Sequence, residues 1–270
     1  MPDNPTINTR TLAVGAACLV VGFLAGFFLA NGINRAEQQK LNAEVASLRA
    51  AGAGGGGKTT TPSGGRQTSD AGDGSFPTLT DEQLSNAVKQ ADASPSDAEL
   101  QSKVGQALYF YAWEKGHAQI LPDVARILKR AHTLDPQNYR TVVLAGDAHF
   151  LIASSGGDTK TLAEARKFYE AALALKPEDA QVRTNLGRTY FYDKPPDPQR
   201  AVREYRRALQ SDPKQETSVQ SLAAALIETG GFDEAARRLD ELEKLNPSNA
   251  ELGGLRAQLE QKRNAAKEKQ

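Results

Sequence analysis

The stretch whose residue types come closest to a known chemical motif is GAGGGGKT, residues 52–59, which satisfies the phosphate-binding loop pattern G-x4-G-K-[ST]. In such a loop, backbone N–H groups and the N-terminus of the next helix point at phosphate, so a buried strand must precede it and a helix must follow. Here residues 46–50 are helix-like, and residues 60–65 (TTPSGG) cannot form a helix. We therefore expect the pattern to be a chance match within a glycine run, with no nucleotide bound.

The histidines and the single cysteine of the chain do not form a catalytic or metal site either. His117 lies in a predicted loop, whereas His132 and His149 fall on helices of different hairpins, and no His-x3-His or cysteine cluster has metal-ligand spacing. Cys18 has no partner for an intramolecular disulfide. Residues 154–157 (SSGG) are turn sequence without G-x-S-x-G. The sequence therefore predicts no catalytic site, no metal and no cofactor, so we do not expect an enzyme.

The composition also excludes a common class of binding protein. The chain has 270 residues, with 33 Lys and Arg against 33 Asp and Glu, so its formal net charge is zero. A nucleic-acid-binding protein usually carries a basic excess or a basic stripe. We therefore expect no nucleic acid partner. The length of the chain is enough for one or two domains.

The N-terminal part of the chain predicts a membrane anchor. A polar tail, residues 1–10, precedes residues 11–33, which contain no charged side chain. A helix of about 22 residues spans roughly 33 Å, enough for a hydrocarbon core of about 30 Å. A cleaved signal peptide is the alternative, but its apolar region is usually only about 7–15 residues long, and Phe28-Leu29-Ala30 has a bulky residue where cleavage needs a small one. We predict an uncleaved transmembrane helix.

Two further segments connect this anchor to the rest of the chain. Residues 34–50 are predicted to be a juxtamembrane helix, and residues 51–78 a flexible linker, because Gly, Ser and Thr dominate them and cannot form a core. Gly22 and Gly26 form a GxxxG pair, which lets two membrane helices pack closely. A homo-oligomer that acts as a structural tether is therefore an open alternative.

The clearest structural pattern lies in residues 180–213, which predict two amphipathic helices around a short turn. The first helix contains L-G-x2-Y, the second contains A-x3-Y, and a proline follows the second helix. The residues that carry this pattern are Leu186, Gly187, Tyr190, Ala201, Tyr205 and Pro213. The chain here resembles the tetratricopeptide repeat family, in which such hairpins stack because none of them can bury its apolar face alone.

Neighbouring hairpins share the proline register. Pro136, Pro177, Pro213 and Pro247 are separated by 41, 36 and 34 residues, and the excess over 34 falls between the two helices of a hairpin. We predict an all-α fold for residues 79–270: a leading helix that begins after Thr80, four repeats and a capping helix. The predicted repeats are residues 98–138, 139–179, 180–215 and 216–249, and the capping helix is residues 250–269.

The resemblance implies a function in binding. In the resembled family, the first helices line a concave groove that holds a peptide, and the positions of this chain that match are Lys103, Tyr109, Arg140, Asp147, Phe150, Asn185, Arg188, Phe191, Tyr192 and Gln220. The alternative for the apolar rings, such as Phe150 and Phe191, is that they pack between hairpins. Some relatives grip a C-terminal carboxylate with Lys and Asn on successive repeats, and only Asn185 matches that clamp.

The architecture resembles the membrane-tethered tetratricopeptide proteins of bacteria, among them subunits of cytochrome c biogenesis. We therefore expect a single-pass protein of the bacterial inner membrane that binds a partner polypeptide as a scaffold or chaperone-like adaptor. A cytochrome c maturation subunit holding apocytochrome is a narrower alternative. Arg35, Lys40 and Arg49 follow the span, so the positive-inside rule would place the repeats in the cytoplasm. The resembled subunits keep them outside, and we expect the periplasmic side.

Overall fold

A computed structural model of the chain describes residues 79–156 and 160–268. The predicted tail, transmembrane helix, juxtamembrane helix and linker, residues 1–78, lie outside the described residues. Within the two described ranges, no helix is both long enough and apolar enough to cross a membrane.

The described residues are helical throughout, and no strand occurs in this part of the chain. Between α2 and α3 lies one short 3-10 turn, Ala118–Ile120. The α-helices, in chain order, are α1 (Asp81–Ala93), α2 (Ala98–Lys115), α3 (Leu121–Leu134), α4 (Tyr139–Ser154), α5 (Lys160–Leu175), α6 (Ala180–Phe191), α7 (Pro198–Ser211), α8 (Glu216–Thr229), α9 (Phe232–Leu245) and α10 (Leu252–Lys267).

The described residues fall into two compact units, the first containing α1 and residues 110–117. The predicted start of α1 is confirmed: Thr80 Oγ1 accepts from the Gln83 amide at 3.2 Å, and Gln83 Oε1 accepts from the Thr80 amide at 2.9 Å. Such a capping box satisfies two backbone donors that have no partner inside the helix. The buried Tyr111 hydroxyl lies 3.1 Å from both the amide and the carbonyl of Leu79, which fixes the chain ahead of α1.

The second unit contains residues 96–109 and the chain from Ala118 onward. Its helices form antiparallel hairpins that follow one another, so that α4 packs on α5, α6 on α7 and α8 on α9. Each hairpin also contacts the next, through α5 with α6 and α7 with α8, and α10 covers the last one. The first helices α4, α6 and α8 contact one another in series, and α8 contacts α10. This layer of first helices carries the candidate site.

Short polar residues and prolines determine where these helices begin and end. The carboxylate or amide of Asn138, Asp179 and Asp197 accepts a hydrogen bond from the third amide of α4, α6 and α7, at 3.1, 2.8 and 2.9 Å. The second helices α3, α5, α7 and α9 each end two residues before a proline, which cannot continue a helix. The shared proline register therefore reports the ends of the second helices.

Close approach between the two helices of a hairpin depends on glycine. A Cβ atom placed on Gly187 would lie 2.5 Å from the ring of Tyr205, and one on Gly146 would lie 2.7 Å from the ring of Tyr169. Tyr169 and Tyr205 are each 1% exposed, so they fill the space that the missing side chains leave. Both hairpins therefore pair a glycine of the first helix with a tyrosine of the second.

Candidate functional site

The centre of the site is the carboxylate of Asp147, which α4 holds against α5 and α6. Its Oδ1 atom accepts hydrogen bonds from the Tyr169 hydroxyl at 2.7 Å and from Asn185 Nδ2 at 3.1 Å. Burial raises the pKa of Asp147 to about 6, although both hydrogen bonds and the charge of Arg188 act in the opposite direction. The pKa of Asp147 therefore lies well above that of an exposed aspartate.

Burial is the largest cause of raised tyrosine pKa values around this carboxylate. It raises the pKa of Tyr109 and of Tyr169, and the negative charge of Asp147 raises both further. Both hydroxyls therefore stay neutral, and that of Tyr169 donates its hydrogen bond to Asp147. Asn185 is held in turn by Gln181, whose Nε2 donates to Asn185 Oδ1 at 3.0 Å. The polar centre is thus fixed from several helices before any ligand arrives.

One helical turn further along α6, the Arg188 guanidinium lies over the ring of Phe150, with Cζ 4.7 Å from the ring centroid. It makes no hydrogen bond or ion pair with any described residue, although a guanidinium has five donors. Arg188 is half-buried, so part of its hydration shell is already lost. A stacked arginine whose donors lack protein acceptors is suited to binding a carboxylate or a peptide carbonyl.

Arg188 and Tyr192 separate two cavities. Cavity A has a volume of about 370 Å³ and is lined by Phe150, Ala153, Ser154, Leu162, Arg188, Tyr192 and Lys194. Cavity B has a volume of about 530 Å³ and is lined by Arg188, Phe191, Tyr192, Tyr205, Gln220, Ser221, Ala224, Glu228, Glu251, Leu255 and Gln258. Both volumes fall within the range of about 300–1,000 Å³ that is usual for ligand sites.

Tyr192 is the most exposed aromatic ring of this surface. It is 53% exposed at the end of α6, with its centroid 5.2 Å from that of Phe191 and 6.1 Å from that of Phe150. Exposed tyrosine and arginine side chains that border a pocket are the residue types most often found at binding hot spots. The line from Phe150 through Arg188 to Tyr192 therefore has the composition of a protein-binding surface.

Most of the residues named from the sequence lie together in this region. Asp147, Asn185 and Tyr109 form the polar centre, whereas Phe150, Arg188, Phe191, Tyr192 and Gln220 line one or both cavities. Two of these rings are largely packed: Tyr109 and Phe150 are each 8% exposed, although Phe150 still lines cavity A. Arg140 and Lys103 line neither cavity, and Lys103 pairs with Glu99 at 2.5 Å on its own helix.

Sequence reasoning missed the residues that complete the cavities. Lys194 comes from the insertion between α6 and α7, and Leu162 from the start of α5. Glu251, Leu255 and Gln258 come from the start and first turns of the capping helix α10. Their spacing of four and three residues puts them on one helix face, which is the signal that could have identified them.

His132 and His149 pack against the same phenylalanine ring. His149 Nδ1 lies 2.7 Å from the carbonyl oxygen of Ala145, and burial lowers the pKa of His149. The rings of His132 and His149 lie on Phe168, with centroids 5.6 and 5.1 Å away. Within the described ranges, no three His, Cys, Asp or Glu side chains are grouped so as to hold a metal ion.

The stacked helical hairpins are those of an α-helical solenoid. Comparison with known proteins supports the tetratricopeptide repeat family within this class. Residues 197–259 match the family model described as tetratricopeptide repeat. The solved structure of MamA is similar to this chain, with 21% sequence identity and a TM-score of 0.50. The match covers 63% of this chain and 90% of MamA. YrrB, described as a tetratricopeptide repeat protein with an unusual peptide-binding site, is 12% identical, with a TM-score of 0.51 over 65% of this chain and 82% of YrrB. No curated protein sequence matches the chain.

Proposed function

We propose that this protein is a scaffold or chaperone-like adaptor that binds a segment of a partner polypeptide along α6, across cavities A and B. The tetratricopeptide repeat match supports a function in protein–protein interaction, and YrrB is a neighbour in fold that is described as having a peptide-binding site. Peptide binding needs no catalytic group. The site offers hydrogen-bond donors, an exposed aromatic ring and two cavities, which are the features that bind a peptide.

The observation that carries this proposal is the state of Arg188. Its guanidinium stacks on Phe150, borders both cavities and has no acceptor among the described residues. Structural arginines in this chain differ: Arg183 pairs with Glu204 at 3.3 Å and donates to the Pro177 carbonyl at 2.7 Å. A half-buried guanidinium that borders two cavities keeps water as its acceptor, and a ligand can replace that water without breaking a hydrogen bond within the protein. A partner's carbonyl or carboxylate oxygens would be such acceptors.

Replacing Arg188 by alanine is expected to weaken partner binding by about 30-fold, the effect of losing a hot-spot contact of about 2 kcal/mol. The measurement is the amount of each polypeptide retained from native cell extract by the immobilised full chain. Arg203, an exposed arginine on α7 that lines neither cavity, provides the matched control variant Arg203→Ala. Thermal unfolding of all three proteins checks that the fold is unchanged. Equal retention by the wild type and Arg188→Ala would refute the proposal.

The membrane tether and the location belong to this proposal as well. An uncharged span at residues 11–33 followed by a linker at residues 51–78 supports a domain that searches for its partner close to the inner membrane. A reporter fused after the last residue, active on only one side of the membrane, measures the orientation. We expect activity on the periplasmic side, and activity confined to the cytoplasm would overturn that part.

The narrower function, a cytochrome c maturation subunit that holds apocytochrome, stays a prediction from the resemblance described above. A deletion strain with an unaltered haem-staining profile of its membrane proteins would contradict it. The oligomeric tether built on Gly22 and Gly26 also stays a prediction, because both glycines lie outside the described residues.

A further inference from the structure

We propose that cavity A recognises an acidic side chain next to an apolar one within an extended segment of the partner. This inference rests on the proposed function, and it specifies the chemistry of the partner at the same site. The acidic group would accept hydrogen bonds from Arg188 and pair with Lys194. The apolar neighbour would lie against Phe150, Ala153 and Leu162.

The charged residues in the described lining of cavity A have one sign. They are Arg188 and Lys194, and this described lining includes no Asp or Glu. Lys194 makes no ion pair with a described carboxylate, and it is exposed at the rim. Asp147, whose pKa the charge of Arg188 lowers, already accepts hydrogen bonds from Tyr169 and Asn185 and makes no direct ion pair with Arg188. The two cations are therefore available to an anion from outside.

The apolar part of cavity A specifies what must accompany the anion. Phe150 is 8% exposed and Leu162 is 3% exposed, so each presents only a small apolar surface. A volume of about 370 Å³ lies near the lower end for ligand sites, so it accepts one or two side chains rather than a helix. A free inorganic anion would leave these apolar walls in contact with water. An acidic residue with an apolar neighbour covers both kinds of lining.

Cavity B limits what can follow along the same segment. It shares Arg188 and Tyr192 with cavity A, but its lining includes the carboxylates of Glu228 and Glu251. Residues i and i+2 of an extended chain point to the same side, about 7 Å apart. Glu228 is paired with Lys262 at 2.7 Å, so Glu251 is the carboxylate that a second acidic residue two positions after the first would approach. The site is expected to accept polar or basic residues there and to disfavour acidic ones.

The test uses an array of immobilised peptides, acetylated and amidated at their ends, in a Gly-Ser background. Four capped peptides contain Phe-Asp, Phe-Asn, Ala-Asp, or Phe-Asp with a second Asp two positions later, and a fifth ends in Phe with a free carboxylate. The purified full chain is the probe. We expect Phe-Asp to bind at least tenfold more protein than each of the other peptides. The variant Lys194→Glu should lose at least tenfold on Phe-Asp. The matched control Lys214→Glu, which changes an exposed lysine outside both cavities, should lose nothing.

Equal binding of Phe-Asp and Phe-Asn would overturn the charge selection, and binding confined to the free carboxylate would assign cavity A to a chain end instead. If no peptide binds while retention from cell extract still depends on Arg188, this inference fails and the proposed function stands. If retention does not depend on Arg188, the proposed function itself fails. Loss of binding in Lys214→Glu as well would show a general charge effect and would also overturn the inference.

Discussion

Replacing Asp147 by asparagine is expected to raise the free energy of unfolding at pH 7.5 by about 1–3 kcal/mol, the upper value being the cost of about two pKa units. The pKa of Asp147 is raised to about 6 mainly by burial, so its ionised form is less stable in the folded protein than in the unfolded chain. Asparagine keeps an Oδ1 acceptor for Tyr169 and Asn185 without the charge. A buried charge is thereby removed while its hydrogen bonds remain.

The sign of the pH dependence follows from the direction of that shift. When folding raises the pKa of a carboxyl, the ionised group destabilises the folded state at pH values above the folded pKa. This loss of stability disappears as the pH falls from about 6, the folded pKa, towards about 4, the ordinary pKa of aspartate. His149 acts in the opposite direction, because its lowered pKa makes the folded state lose stability as pH falls below about 6.5. The difference in free energy of unfolding between Asp147→Asn and the wild type reports on Asp147 alone, because both proteins contain His149.

The groups whose charge acts on Asp147 are the same in both proteins. Tyr109, Tyr139 and Tyr169 have raised pKa values and stay neutral over this range, the charge of Arg188 lowers the pKa of Asp147, and that of Asp179 raises it. Urea unfolding at pH 7.5, 6, 5 and 4 is the measurement, with the exposed Asp240→Asn as control. The advantage of Asp147→Asn should shrink steadily and vanish near pH 4. A constant advantage, or none at pH 7.5, would contradict the assigned titration.

Replacing Gly187 by alanine is expected to destabilise the fold in the wild type and to stabilise it when Tyr205 is absent. The added methyl carbon would lie 2.5 Å from the Tyr205 ring, and overpacking of this kind costs about 1–3 kcal/mol. With Tyr205→Ala the space is open, and alanine then contributes its higher helix propensity, up to about 1 kcal/mol over glycine. The change of sign distinguishes close packing from a general sensitivity of α6.

A double-mutant cycle measures this coupling from the unfolding free energies of four proteins. Tyr205→Ala alone should cost about 3–5 kcal/mol, because it empties a fully buried ring position. Gly253→Ala on α10 is the matched control, since a Cβ there has no neighbour within 4 Å and should cost nothing in either background. Additive effects of Gly187→Ala and Tyr205→Ala would show that the two residues do not define how closely α6 and α7 approach.

The sequence could predict the helices because their signals are local. The Thr80 capping box, the prolines after the second helices and the Leu-Gly pattern each depend on a few neighbouring residues, and the structure confirms them. The site was partly predictable for a different reason. In the tetratricopeptide repeat family that the chain resembles, the first helices line the groove, and the matching positions of this chain include Asn185, Arg188 and Tyr192.

The remaining features depend on distances between helices, which periodicity does not contain. Whether Phe150 is exposed depends on the guanidinium that α6 places over it, and its sequence position alone leaves this open. Lys194 enters cavity A through the path of an insertion, whose conformation has no repeat to predict it. The raised pKa of Asp147 likewise depends on its burial, with hydrogen-bond partners on α5 and α6.

The most direct test of the partner-binding surface is site-specific photocrosslinking within cells that naturally express the protein. A photoreactive phenylalanine analogue at position 192 replaces the exposed ring of Tyr192, between cavities A and B. We predict a crosslink to a partner polypeptide that disappears with Arg188→Ala, and none from the same analogue at position 203 on α7. A crosslink at position 192 that persists with Arg188→Ala, or crosslinks only at position 203, would contradict binding along α6.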